Sequence, residues 1–512
     1  MKDIRNKFNL EFLSKTLFLL VSFVAAIHGK SPNILLILAD DVGFGDIPAN
    51  YPEALVPMPN IQQLAEMGVR FLDAHSTSAV CAPTRYSLLS GNYPWRGRRP
   101  YGTWHYNGGS QFKKNQLSLA QVLKDAGYHT AMFGKVHLGA HVHPRDPRSG
   151  FNEQWNPPVE TLDFTRTLVG GPKDLGFDYS FTTPAGIQDK PYVFFENDLM
   201  TTNPNHLRKW VAGEYPNDNG VSKISPNHDG FGAPGWESNN YAIELTNKVM
   251  AFLDRHLEKN QANGQERPFF IHYCAEAVHV PHSPPKKYFD LPVMGQTPSA
   301  HLDMLHELDL TVGKLLREIE ARGMLENTLV IFTSDNGGLG VSDHLGHDAS
   351  GGYRDNKGSI YEGGHRIPMI MSWPAGGVPH GLTYDSLTGI QDLYRTLAEL
   401  ADTKVPDGQA LDSISFKEQL MGLTDQPHRR NQMTQTVENS GELAYRKDEW
   451  KLIMDASGKP FALYNLSQDF AEEMNLFHEA EHASRKQQLQ SEFLALNPVG
   501  VIQRIGAKRK KK

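Results

Sequence analysis

Cysteine is nearly absent from this chain. Only Cys81 and Cys274 occur among 512 residues, so a disulfide framework cannot be what holds it together. Basic excess is also missing, and a formal net charge of −7 argues against general nucleic-acid binding. No internal repeat is visible. At 39% hydrophobic and 21% charged residues the composition is that of an ordinary globular protein, long enough for two or three domains and a large core.

The first residues read as an export signal. Lys2, Arg5, Lys7 and Lys15 precede a twelve-residue apolar run, Thr16 to Ile27, with small residues at Ala25, Ala26 and Gly29. That run is too short to span a bilayer comfortably, so residues 1–29 are expected to be a signal peptide and the chain periplasmic or extracellular, without stable membrane insertion. An exported chain permits a Cys81–Cys274 bridge. Cys274 lies in the apolar run "PFFIHYCAEA", however, and a chain this long does not need the bridge, so two free thiols are expected.

Several short apolar runs end at once in chemically capable residues. Asn33–Ala39 leads to Asp40 and Asp41; Thr130–Phe133 leads to Lys135 and His137. Phe269–Cys274 leads to His279 and His282, and Leu329–Thr333 to Asp335 and Asn336. Continuous apolar runs mark strands buried on both faces. Helical segments lie between them, with Asn60 and Ser118 as expected caps and Gly68, Gly127 and Gly323 as stops. Alternating strands and helices predict a doubly wound α/β fold, a mostly parallel sheet flanked by helices. Such sheets gather the loops after their strands at one edge, where a site forms. Beyond about Gly422 the pattern changes to short alternating strands with turns at Ser440-Gly441 and Ser457-Gly458, then a polar helix. The expected organisation is a signal at 1–29, a catalytic domain at 30–422, a small C-terminal α+β subdomain with an antiparallel sheet at 423–505, and a solvated basic tail at 506–512.

Cys81 stands in a loop-like stretch, "SAVCAPTRYSLLSGNYP", without an apolar run or a thiol partner around it. "CAPTR" resembles the C-x-P-[ST]-R signature of the sulfatase family in the alkaline phosphatase superfamily. "ADD", "GKVHLG", "AVHVPH", "SDNGG" and "NKGSIYEGGHRIP" resemble the family's other motifs in the family's order. The match runs from about Asn33 to Pro374; Val136 stands where the family often has Trp, and "LSGN" where it often has "LTGR".

The resemblance implies an alkaline-phosphatase-like fold and a sulfuric ester hydrolase whose Cys81 is oxidised to formylglycine by a maturation enzyme. The aldehyde hydrates to a gem-diol; one hydroxyl attacks sulfur and the other later expels sulfate, splitting one hard step into two. By the same resemblance Arg85 holds the formylglycine oxygen and Lys135 steadies the diol. His137 is then the base that collapses the ester, while His279 and Lys357 bind sulfate and protonate the leaving oxygen. Asp40, Asp41, Asp335 and Asn336 supply only hard oxygen ligands, which favour Ca2+ or Mg2+ over zinc. The resemblance selects one Ca2+, with Cys81 as a further ligand. His141, His143, His344, His347 and His365 receive no role, and His282 is left between a pocket wall and a turn.

The segment Tyr93–Gly109 interleaves Tyr93, Trp95, Tyr101, Trp104 and Tyr106 with Arg96, Arg98 and Arg99. Aromatic faces stack on sugars and arginine forks pair with sulfate, so a sulfated carbohydrate is the expected substrate; an ordinary packed loop is the alternative. "GNYPWRG" is similar to sulfatases acting on algal galactans such as carrageenan. Two other readings stay open: a phosphonate or phosphodiester hydrolase using the same aldehyde, and a catalytically silent binder of sulfated glycans.

Overall fold

The computed structural model describes residues 31–100, 102–151, 153, 157–212, 228–429, 431–436 and 441–496. The expected signal peptide, Tyr101, Ser440 and the basic tail lie outside them. Among the described residues no helix is long and apolar enough to cross a membrane.

Ten strands form the main sheet: β1 (Asn33–Ala39), β2 (Val69–Phe71), β3 (His129–Lys135), β4 (Tyr179–Thr183), β5 (Phe195–Glu196), β6 (Leu199–Met200), β7 (Phe269–Cys274), β8 (Thr328–Ser334), β9 (Met369–Ser372) and β10 (Leu382–Tyr384). Their spatial order is β10-β2-β9-β8-β1-β7-β3-β4-β5-β6. The central run from β8 to β4 is parallel throughout. Towards the edges β9 opposes β8 and β2, and β5 opposes β4 and β6. The four apolar runs picked out in the sequence are the adjacent strands β8, β1, β7 and β3. Their carboxyl ends therefore meet at one edge.

Side-chain alternation explains why these runs are apolar without a break. Ile34, Leu36 and Leu38 of β1 enter one core; Leu35, Ile37 and Ala39 enter the other. On the first face pack α2 (Cys81–Ser90), α3 (Leu119–Asp125) and α6 (Leu393–Leu400), through Tyr86, Leu89, Leu123 and Leu397. On the second pack α1 (Pro59–Glu66), α4 (Tyr241–Asn263) and α5 (Ala300–Ala321), through Leu64, Val249 and Leu308. Each such aliphatic side chain contributes roughly 1.5–3 kcal/mol on burial.

Helix signals held with one exception. The Ser118 hydroxyl accepts from the Gln121 amide and caps α3, and Gly127 and Gly323 adopt positive φ just past their helices. Asn60 does not cap α1: Met58 takes that position, and the Asn60 amide donates to Asp309 on α5 at 2.6 Å. A capping residue was expected there from chemistry alone, whereas the contact that uses Asn60 is long-range.

The C-terminal sheet is antiparallel, as expected: β11 (Asn431–Gln435), β12 (Leu443–Lys447), β13 (Trp450–Met454) and β14 (Pro460–Asn465). The helix α7 (Ala483–Leu496) lays Leu489 and Phe493 against Met433, Tyr445 and Leu452.

Candidate active site

Asp40 and Asp41 follow β1, Asp335 and Asn336 follow β8, His279 lies beyond β7, and Lys135 ends β3. Parallel register brings all of them to one edge. Cys81 is not in a loop: it is the first residue of α2, whose N-terminus points at the same edge, with Pro83 in the first turn. Gly134 is required just before Lys135, since its φ is +92° and a Cβ would collide with the Cys274 carbonyl.

The site is a dense lattice of charge. Lys135 Nζ reaches Asp40 Oδ2 at 2.6 Å, and Lys357 Nζ reaches Asp41 at 2.6 Å. Arg85 donates through Nε to Asp335 at 2.8 Å and through Nη1 to the Lys135 carbonyl at 3.0 Å, with Nη2 3.5 Å from Asp40. Asn336 Nδ2 donates to Asp41 Oδ1 at 2.9 Å, and His279 Nε2 stands 3.7 Å from Asp41. His137 sits in a turn just past β3. Its φ is +52°, and the turn sets Nδ1 3.2 Å from Cys81 Sγ. Every candidate from the sequence is thus in this cluster.

Burial dominates the proton affinities. It pushes the Cys81 thiol up, so the unmodified side chain is a poor nucleophile. Burial and the neighbouring Lys135 and His105 hold His137 well below the usual imidazole range, and burial with Lys357 lowers His279 to about 4. Both rings are neutral near pH 7. Burial, reinforced by Asp40, raises Asp335 to about 7, whereas Lys135 and His279 overcome burial and hold Asp40 low.

The donor set fits a hard divalent cation. Asp40 Oδ1 and Asn336 Oδ1 are buried oxygens without a hydrogen-bond partner, and Asp40, Asp335 and Cys81 offer ligand atoms within 4.8 Å of one another. Unpaired buried oxygens are costly, and a cation is one way to satisfy them. A second buried group, His75, Glu362 and His365, is crossed by Lys451, Arg366 and Arg446 and is an ion-pair network. His347 is bound to Asp46 and His365 to His75, while His282 packs on His301.

The aromatic segment is corrected. Tyr93 and Trp95 are buried in the core of the C-terminal sheet, Trp104 beside Tyr86 in the main core, and Tyr106 in a third cluster. Arg96 pairs with Asp412, and Arg98 and Arg99 with Glu153. No described ring of this segment is a platform for a sugar. The thiols are free, so no Cys81–Cys274 bridge exists. Two further residues at the site carry no sequence signal: His105, whose ring borders His137, and Asp189, which holds it at 2.8 Å. The aromatic pattern masked the first, and "GIQDKPY" has no periodicity that would mark the second.

Comparison with known proteins agrees with the geometry. The family model Sulfatase matches residues 32–403, and the model N-sulphoglucosamine sulphohydrolase, C-terminal, matches 351–498. An N-acetylgalactosamine-6-O-sulfatase of Bacteroides thetaiotaomicron is 32% identical over 459 residues, covering 83% of each chain. A solved protein from the glycosaminoglycan metabolism of Bacteroides thetaiotaomicron superposes with TM-score 0.74 at 29% identity, over 91% of this chain and 99% of that one. Ps i-CgsB, solved with k-i-k-neocarrahexaose, shares the fold at TM-score 0.66 and 22% identity, over 93% and 98% of the two chains.

Proposed function

Because the chain belongs to the sulfatase family and is a sulfuric ester hydrolase, we propose that it releases sulfate from a sulfated glycan at the Cys81 centre. The observation that carries this reading is the meeting of Cys81 with His137 at 3.2 Å beside the oxygen cluster of Asp40, Asp41, Asp335 and Asn336.

Cys81, matured to formylglycine, supplies a hydrated aldehyde whose hydroxyl serves as the nucleophile towards sulfur. The N-terminus of α2 lies under that position and favours negative charge there. His137 Nδ1, neutral and next to that position, takes the proton of the diol's second hydroxyl once sulfate is attached. Lys135 from the end of β3 and Arg85 from α2 hold the same group. His279 and Lys357 face it across Asp41, where they bind the sulfate oxygens and return a proton to the departing alcohol. When His137 takes the second hydroxyl's proton, the aldehyde re-forms and the C–O bond to sulfate breaks; water then rehydrates the aldehyde, so ester and water become alcohol and hydrogen sulfate.

Asp40, Asp41, Asp335 and Asn336 would hold one Ca2+, which supplies positive charge for an anionic substrate. It would also release Arg85, Lys135 and Lys357, now turned onto those carboxylates, towards sulfate. The basic start and apolar run before Gly29 support export, with maturation of Cys81 by a formylglycine-generating enzyme.

A 6-sulfated N-acetylgalactosamine is a better-supported first substrate than carrageenan. The relative named for it is 32% identical, whereas the likeness to the carrageenan-oligosaccharide complex is one of fold. The test is sulfate release from N-acetylgalactosamine 6-sulfate by matured enzyme. Cys81→Ala is expected to lose turnover entirely, and retained activity would refute the assignment.

A further inference from the structure

His105 borders the site without a part in the chemistry above. Its ring meets that of His137 edge-on, with centroids 5.8 Å apart. Its Nδ1 lies 2.8 Å from Asp189 Oδ2, and Lys190 Nζ also faces that carboxylate, at 3.9 Å. His105 is 8% exposed and Asp189 3%, against 4% for both Cys81 and His137, so the pair is as accessible as the nucleophile it adjoins.

The pair is built from two distant segments. Asp189 comes from the loop that follows β4, which packs onto the catalytic lysine: a Cβ at Gly186 would stand 3.0 Å from Lys135 Cδ and 2.5 Å from Gln188 Oε1. That Gln188 oxygen is buried and has no hydrogen-bond partner, although the residue is only 7% exposed. Burying a carboxylate, an imidazole and an unpaired amide together costs stability, and the sulfate chemistry uses none of them.

We propose that His105, Asp189 and Gln188 form the wall that reads the ring hydroxyls of the sulfated sugar. The chemistry fits two neighbouring unsubstituted hydroxyls, one donating to the carboxylate and the other bonding the imidazole or the amide oxygen. The assignment rests on the glycan reading above and narrows it to sugars with such a diol. It also takes over the role expected of the aromatic rings, which are buried.

The test compares kcat/KM for N-acetylgalactosamine 6-sulfate and for para-nitrophenyl sulfate, which has no sugar hydroxyl, in wild type, Asp189→Asn and His105→Gln. Thermal midpoints of the near-isosteric variants confirm folding, and either folded variant suffices. Loss on the sugar is expected to exceed loss on the aryl ester by roughly tenfold or more. Equal losses would make the pair a support for His137 and overturn the proposal, as would no loss on either substrate. Wild type that cleaves the aryl ester but not the sugar fails the glycan reading instead, and the assignment falls with it.

Discussion

Asp335 serves two neighbours at once. It accepts from Arg85 Nε, and its Oδ1 also receives the Asp41 amide at 3.2 Å. As a charged member of the oxygen cluster it contributes more to holding a dication than the neutral Asn336. In wild type, saturating Ca2+ is expected to stabilise the fold by about 2.7 kcal/mol at a hundredfold excess over Kd. Asp335→Ala should abolish most of that gain while the apo protein still folds. An unchanged Ca2+-dependent shift in melting temperature would remove Asp335 from the ligand set. Asp40, Asp41, Lys135, His137, His279, Asp335 and Asn336 were legible because each ends or follows a strand, which is local information; Cys81, Arg85 and Lys357 were legible only through the family motifs. What failed was exposure. Tyr93, Trp95 and Trp104 interleave with arginines whether the rings face a sugar or a core. The deciding partners are remote: Arg96 meets Asp412 across 316 residues.

Two buried carboxyls, one just past a strand and one within a helix, are not advertised by the sequence. Glu276, just past β7, and Glu307, on α5, are both buried, and burial raises both carboxyls, Glu276 to about 7. The folded chain thus keeps a proton on Glu276 that the unfolded chain gives up near 4.5. It binds more protons than the unfolded chain across that window, so stability is expected to fall as pH rises from about 4.5 to about 7 and to level off above. The whole effect is on the order of 3 kcal/mol. Glu276→Gln should flatten that part of the profile, measured by denaturant unfolding on either side of the window. A profile as steep as wild type would mean that Glu276 ionises normally. The strands themselves were readable because both faces are buried; these carboxylates were not, because helix periodicity gives the core-facing side of α5 without naming what lies opposite.

Across the whole molecule, the C-terminal sheet is bound to the catalytic edge by charge as well as by apolar packing. Lys451 of β13 reaches Glu362 at 3.0 Å and Glu472 at 2.9 Å, and Arg446 of β12 reaches Asp73 at 2.7 Å. Glu362 follows Lys357 by five residues, so this network also anchors the segment that carries a site lysine. We therefore propose that the boundary near residue 422 separates two subdomains that do not fold independently. Lys451→Met should leave Glu472 buried without its lysine and take one of three cations from Glu362, at a cost of about 3–5 kcal/mol. Urea unfolding would read that loss, and a change below about 1 kcal/mol would show the network to be dispensable. The central claim, that a modified Cys81 is the nucleophile, has a more direct test. It is the mass of the peptide containing Cys81, taken from active protein purified from its own host. An aldehyde or its hydrate is expected in place of the thiol, in a fraction that rises with specific activity across preparations. Fully active protein carrying only the unmodified cysteine would contradict it.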